Sequence, residues 1–276
     1  MRVGIFGAGR LAQAILAEAE RMGREKIEIA WTLHRGQKPS DVPGGQDVDV
    51  AIDASSAAGV PAHIEWAISR GVPLVIGTTN WEMPGLAARV GESTALLVAP
   101  NFSFGISLVR RMARMIGFFA AQDTEAEVAI FEHHHSAKLD SPSGTAKSLA
   151  NAVLGACPRY ESWTLGPHSA DMLDISVMRT GSEIGYHEII LDSPFEQIKV
   201  SHRARDRRLF AIGALKTAGW IRGRKGLFTM DDVVGDLLGE GKMTRKTGEP
   251  RVKDEGTAMP KKRDPRKTGS ALKLGA

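Results

Sequence analysis

The sequence has a single cysteine, Cys157, which leaves no internal disulfide framework and no cysteine cluster for a metal. It has no apolar run close to the about 20 residues that a membrane-spanning helix needs. Its opening, MRVGIFGAGR, enters a strand at once and lacks the basic, apolar and cleavage regions of a secretory leader, so a cytoplasmic protein is expected. A surplus of one charge is missing from most of the chain. The net charge is +4, but residues 242–276 hold 11 Lys/Arg against 4 Asp/Glu, leaving 25 basic against 28 acidic residues in 1–241. The tail has no aromatic residue on which a base could stack. Its Lys, Gly, Pro and Thr predict a solvated, disordered extension rather than a nucleic-acid interface. There is no internal repeat.

What is present is an alternation of strands and helices. Residues 2–6, 27–33, 47–55, 72–79 and 95–103 read as strands, with helical spacing over 12–21, 60–70 and 84–92 between them. This predicts a Rossmann-like, doubly wound parallel sheet in an α/β fold. Its ligands belong at the carboxyl ends of the strands, which carry GAGR, TLHR, DASS, GTTN and APNFS. After Ile106 the pattern changes. A helix through 109–119, the strand AEVAIFEHH at 126–134 and a helix from Thr145 precede strand-like runs at 173–180, 186–193 and 195–204. Few helices between strands predict a second α+β domain with an open mixed sheet. The helical run at 209–221 has an apolar face suited to the first domain. The expected division is 1–103 with 207–241 for dinucleotide binding, 104–206 for substrate binding and assembly, and 242–276 as the tail.

GAGRLA fits G-x-G-x-x-A at Gly7, Gly9 and Ala12, between a strand and a helix. Gly7 permits the tight turn, Gly9 lets the backbone approach a pyrophosphate, and Ala12 keeps the helix close to the strand. The helix N-terminus favours the negative charge. A site for NADH commonly has a carboxylate at the end of the second strand; here stand Thr32, Leu33, His34 and Arg35. Arg10 and Arg35 are suited to a 2′-phosphate, which favours NADPH over NADH. The alternative for Arg35 is an exposed loop cation.

The segment FEHHHSAKLDSPSGTA at 131–146 concentrates proton-carrying and cationic groups beside a small-residue turn. Adjacent strand residues point to opposite faces, so at most two of His133, His134 and His135 share a side. With no nearby cysteine and no H-E-x-x-H spacing, no metal is expected. Ser143, Gly144 and Thr145 open a helix whose first N–H groups are expected free for a carboxylate. The segment reads as a proton donor beside an anion cradle.

EHHHSAKLDSPSGTA at 132–146 resembles the signature of the 4-hydroxy-tetrahydrodipicolinate reductase (dihydrodipicolinate reductase) family, E-x-H-H-x-x-K-x-D-A-P-S-G-T-A. The blocks GTTN at 77–80, APNFSFGISL at 99–108 and HRARDRRLFAIGAL at 202–215 resemble family blocks in the same order. The resemblance covers about residues 1–235. It implies His134 and Lys138 as catalytic, and His135, Ser143, Gly144 and Thr145 as substrate-binding. The glycine-rich turn gives cofactor contacts from Gly7, Ala8, Gly9, Arg10 and Leu11, and the end of the second strand adds Arg35; the resemblance implies further contacts from Gly77, Thr78 and Thr79. Ala99, Pro100, Asn101 and Phe102 are implied beside the nicotinamide, and Arg207 matches a regular arginine of the later block. Departures are the shorter G-x-G-R spacing, His133 for a smaller residue, GTTN for GTTG and Ser141 for alanine.

The activity implied is NAD(P)H-dependent reduction of a cyclic imine dicarboxylate in lysine and diaminopimelate biosynthesis, by a homotetramer. Imidazole, titrating near neutrality, suits His134 as the acid, and Lys138 would stabilise developing negative charge. Two further readings are a reductase of the same architecture acting on another small dicarboxylate, and a nucleotide-binding protein without catalysis. The His134–Lys138 pair counts against the last.

Overall fold

The computed structural model describes residues 1–34, 36–42 and 48–240. Arg35, Asp47 and the basic tail, all part of the sequence-based expectations, lie outside the described residues. In chain order the elements begin β1 (Arg2–Phe6), α1 (Arg10–Met22), β2 (Glu28–Leu33), a single 3-10 turn (Pro39–Asp41), β3 (Val50–Asp53) and α2 (Val60–Arg70). β4 (Leu74–Ile76), α3 (Leu86–Val90), β5 (Ala95–Val98) and α4 (Phe104–Gln122) follow. The second half holds β6 (Glu127–His134), α5 (Gly144–Leu154), β7 (Ser162–Thr164), β8 (Met172–Arg179), β9 (Tyr186–Asp192) and β10 (Gln197–Arg203). α6 (Arg208–Ile221), β11 (Gly226–Thr229) and α7 (Met230–Leu237) close it.

The first sheet is wholly parallel in the order β11-β5-β4-β3-β1-β2. The short runs VAID, LVI and ALLV are buried because helices cover both faces, which is why they read as continuous apolar stretches rather than alternating ones. α1 and α6 cover one face through Ile15, Ala19, Ala211, Leu215 and Ala218. α2 and α3 cover the other through Ile64, Trp66, Ala67 and Val90. The strand order reverses at β1, whose neighbours β2 and β3 lie on opposite sides, and such a switch point opens a crevice at the strand tips.

The second sheet runs β10-β9-β6-β8-β7 and is mixed: β9 is antiparallel to β6 and β10, while β6, β8 and β7 are parallel. β6 alternates strictly, with Val128, Ile130, Glu132 and His134 buried. α4 and α5 cover this inner face through Ala113, Ile116, Leu149 and Val153. The other face carries Phe131 of β6, Tyr186 and Ile190 of β9 and Met178 of β8, with Tyr186 and Met178 both opposite His133. β11 returns the chain to the first sheet beside β5, an addition that the sequence reading does not contain.

Candidate active site

The tips of the parallel strands form one row. Gly7 N–H donates to Leu33 O (2.9 Å), Ala54 N–H to Phe6 O (2.8 Å), Gly77 N–H to Asp53 O (2.8 Å) and Ala99 N–H to Ile76 O (2.9 Å). The predicted cofactor segments are therefore brought side by side by the sheet's own ladder. Gly7 has φ +113°, and a Cβ there would lie 2.3 Å from Ala54 O, so no other residue fits this turn. Gly9 precedes α1, which has neither a capping side chain nor an acid in its first turn. Its first N–H groups are thus available to an anion. Gly77 lies against Phe102 and Leu11: a Cβ would meet the Phe102 ring at 2.6 Å and Leu11 Cδ2 at 3.1 Å. These cradles, open to backbone approach and free of carboxylate at the helix start, fit a dinucleotide. Ala8 is half-buried, while Arg10, Thr79 and Pro100 are exposed at the rim.

Beneath this row lies a polar cluster centred on Asp53 and His63, neither of which the sequence reading assigns a role, although it names Thr78, which joins them. Asp53 is fully buried, with Oδ2 2.5 Å from His63 Nδ1. Its Oδ1 accepts from Ser55 N–H (3.0 Å), Ser55 Oγ (2.8 Å) and Thr78 Oγ1 (2.5 Å). His63 in turn stacks on Phe6 at 4.1 Å. One carboxylate thereby fixes the turns after β3 and β4, both of which border the crevice. The signal was a charged residue closing an otherwise apolar parallel strand.

On the second sheet, register assembles the other half of the site. Glu132 lies opposite His187 on β9, and His134 opposite Arg179 on β8, all on the inner face. Glu132 is fully buried, and His134 and His187 nearly so. Glu132 Oε1 accepts from Ser143 N–H (2.9 Å) and Arg179 Nη2 (2.7 Å), and its Oε2 is 3.5 Å from both His134 Nδ1 and His187 Nε2. Ser143 Oγ caps α5 by accepting from Ala146 N–H (3.1 Å) and is 3.2 Å from His187 Nε2. His133 points the other way, its Nε2 3.0 Å from Thr180 O, as strand alternation requires. His135 is anchored by its N–H to Glu183 O (2.7 Å). Lys138 Nζ donates to Asp140 Oδ1 (2.7 Å), and Arg179 Nη2 also donates to Asp140 O (2.7 Å).

One expectation is corrected here. Ser143 does not offer a free N–H: Glu132 takes it, and the buried hydroxyl is spent on the cap and on His187. The exposed edge of the cradle is Gly144, where an added Cβ would meet nothing within 4 Å, together with Thr145. The two halves meet at Asn101, whose Nδ2 donates to Thr145 Oγ1 (3.2 Å). Asn101 Oδ1 accepts from Ser103 N–H (2.8 Å), fixing the amide.

Electrostatics separate the buried groups. Burial pushes the Glu132 carboxyl up, but the neighbouring His187 imidazole, with the hydrogen bonds from Ser143 and Arg179, outweighs it and holds the group well below the carboxylate range. Burial, then the charges of His187, Lys138 and Arg179, push His134 down to about 4, against the opposing pull of Glu132. The Lys138 ammonium holds Asp140 below its ordinary value.

Family models described as the dihydrodipicolinate reductase N-terminus and C-terminus match residues 1–102 and 105–234. The chain belongs to the dihydrodipicolinate reductase family. A 4-hydroxy-tetrahydrodipicolinate reductase of Christiangramia forsetii is 31% identical over 86% of this chain and 99% of its own. One from Gluconacetobacter diazotrophicus is 33% identical over 85% of this chain and 97% of its own. The solved structure of a dipicolinate-bound dihydrodipicolinate reductase from Paenisporosarcina sp. TG-14 shares the fold, with TM-score 0.69 and 21% identity over 83% of this chain and 97% of that one.

Within the dihydrodipicolinate reductase pattern, the departure GTTN has a conformational reason. Asn80 has φ +62°, the left-handed region where glycine is favoured and asparagine is tolerated. Arg207 is exposed immediately before α6 and is not brought to the His134 cluster by any described contact. Glu132, Arg179 and His187, which cluster with His134, are assigned no role by the sequence reading. Their signal was polar side chains at positions whose period-2 neighbours, Ile130, Val177 and Ile189, face the core. The donor atoms of Glu132, His134 and His187 lie within 4.8 Å of one another, a grouping that spacing along the chain does not reveal.

Proposed function

We propose that the junction at Asn101 and Thr145 is the place where a nicotinamide and a dicarboxylate meet. As a member of this family the chain is an NAD(P)H-dependent reductase, and the reaction is reduction of 4-hydroxy-tetrahydrodipicolinate to tetrahydrodipicolinate in lysine and diaminopimelate biosynthesis. The single observation that carries the reading is the Asn101–Thr145 hydrogen bond, because it links a cofactor-row strand tip to the start of α5 on the His134 side.

The cofactor, when bound, supplies a hydride. Gly7 to Leu11 hold its pyrophosphate at the α1 N-terminus, and Gly77 to Thr79 with Ala99 to Phe102 border the nicotinamide. Gly144 and Thr145 receive one substrate carboxylate, with His135 beside them. The 4-hydroxyl of the substrate leaves as water to give a conjugated imine; Lys138 then offsets the negative charge that builds up as hydride reaches C4, and His134 delivers the proton to the resulting enamine carbon, directly or through water. At neutral pH His134 is uncharged in the free protein, so its proton arrives with the dianionic substrate. NADPH is preferred, a reading supported by the lack of a carboxylate at Thr32 to His34. Residues 1–103 with 207–241 form the dinucleotide domain and 104–206 the substrate domain. The uncovered face of the second sheet, with Phe131, Tyr186, Ile190 and Met178, is read as the surface on which copies assemble into a tetramer.

The test is NADPH oxidation in the presence of substrate generated in situ from pyruvate and aspartate semialdehyde. Turnover that requires the complete generating system is expected. Nucleotide binding without any such turnover would replace the reading with a non-catalytic one.

A further inference from the structure

One buried carboxylate is shared by the parts that bind charge and the part that moves a proton. Glu132 Oε1 holds the N–H of Ser143, the residue that starts the turn of Gly144 and Thr145 (2.9 Å). The same oxygen holds Arg179 (2.7 Å), which reaches on to the carbonyl of Asp140, the partner of Lys138. Oε2 stands 3.5 Å from His134 Nδ1 and from His187 Nε2, without hydrogen-bond geometry to either, and both Oε2 and His134 Nδ1 are buried and unpartnered. His187 closes the loop through Ser143 Oγ (3.2 Å). We propose that Glu132, with His187, is a positioning pair that couples capture of a substrate carboxylate at Gly144–Thr145 to uptake of a proton by His134. This rests on the reading of His134 as the acid and of that turn as the cradle.

The charges facing His134 make the coupling necessary. From β6 comes Glu132, from the end of β8 Arg179, and from β9 His187, with His202 of β10 beside it in register. The turn after β6 adds Lys138 with Asp140. Glu132 is the one anion within ion-pair distance of the imidazole among the described residues, and Arg179 already claims its other oxygen. A proton added to His134 in the free protein therefore meets a surplus of positive charge in a water-poor site. A dicarboxylate seated on the turn and near Lys138 removes that surplus. Glu132 is then free to face an imidazolium across 3.5 Å, and a small rotation closes the hydrogen bond. The proton comes from solvent on binding and leaves with the product. The same three donors would suit a metal by distance, but Arg179 on the carboxylate and Lys138 nearby oppose a divalent cation.

The experiment is calorimetric titration of the full chain with pyridine-2,6-dicarboxylate at pH 7, in buffers of different ionisation enthalpy, which counts protons taken up per ligand. Wild type is expected to take up about one proton, the number that a single neutral imidazole accepts on ionising. Glu132→Gln should weaken binding about tenfold, the loss of one charged hydrogen bond, and reduce the proton count below half. Glu132→Asp, which keeps the charge, should restore most of the count. NADPH binding by each variant serves as the check on folding. A wild-type count of zero overturns the proposal and needs no variant. An unchanged count in Glu132→Gln, with only affinity lost, reduces Glu132 to a structural role and overturns it too. Stoichiometric zinc that survives dialysis against a chelator and is lost in Glu132→Gln overturns it in favour of a metal centre. If wild type fails to bind the dicarboxylate at all, the reading of the cradle falls and this proposal with it.

Discussion

His134 shows how a residue's neighbours change its chemistry. An imidazole held at about 4 in the fold but near 6.5 when unfolded binds its proton more weakly in the native state. Stability from this group is therefore whole above about pH 6.5 and is lost as pH falls towards 4, by up to about 1.4 kcal/mol per pH unit. Thermal unfolding across that window should flatten in His134→Gln; an unchanged slope would show that the imidazole is not the group responsible. Catalytically, His134→Gln and Lys138→Ala should each lower kcat at least about 100-fold, the scale of a lost general acid or a lost charge stabiliser, while leaving the unfolding temperature at pH 8 nearly unchanged. Normal turnover in both would reject the assignment. At this scale a motif names His134, Lys138, Gly144 and Thr145 together as candidates. Arg179 and His187 have no such signal, because each comes beside His134 and Glu132 through strand register, and register joins residues more than 40 positions apart. Ser143 was named, but its N–H is not free as expected, since nothing along the chain shows which acceptor takes it.

At the scale of elements, the strong periodic segments were readable and the short ones were not. β10 announced itself by alternation and β3 to β5 by short apolar runs, and the α4 helix merely extends further each way than its spacing implied, from a Ser103 cap. β7 has three residues, too few for a pattern, and β11 follows a charged turn that gives no hint of parallel pairing with β5. The Gly7 turn is the element on which the cofactor row depends. Gly7→Ala puts a Cβ 2.3 Å from Ala54 O at φ +113°, at a cost of about 1–3 kcal/mol from strain. The KM for nucleotide should rise severalfold while dicarboxylate affinity stays within a factor of about two, since the sites sit on separate sheets. Asp53→Ala should act on the same side by freeing the Ser55 and Thr78 turns. A rise confined to the dicarboxylate KM would contradict this placement.

For the whole molecule, the order of elements already implied a doubly wound sheet followed by a mixed one, because alternation of type is visible in sequence while the return of β11 to the first sheet is not. The preference for NADPH should appear as a kcat/KM at least about tenfold above that for NADH, the discrimination of one charged hydrogen bond. A strong NADH preference would mean that the end of β2 was misread. Removing residues 242–276 should leave this activity intact, and light scattering of both forms should return the mass of four chains.

The hydrogen bond from Asn101 to Thr145 has a consequence for motion. It joins a strand tip of the first sheet to the start of α5 through two short side chains, so a swing that parts them must stretch it. On the reading proposed above, an intact contact would hold the two ligand sites in a common alignment, and its loss would let each admit or discharge its molecule without the other.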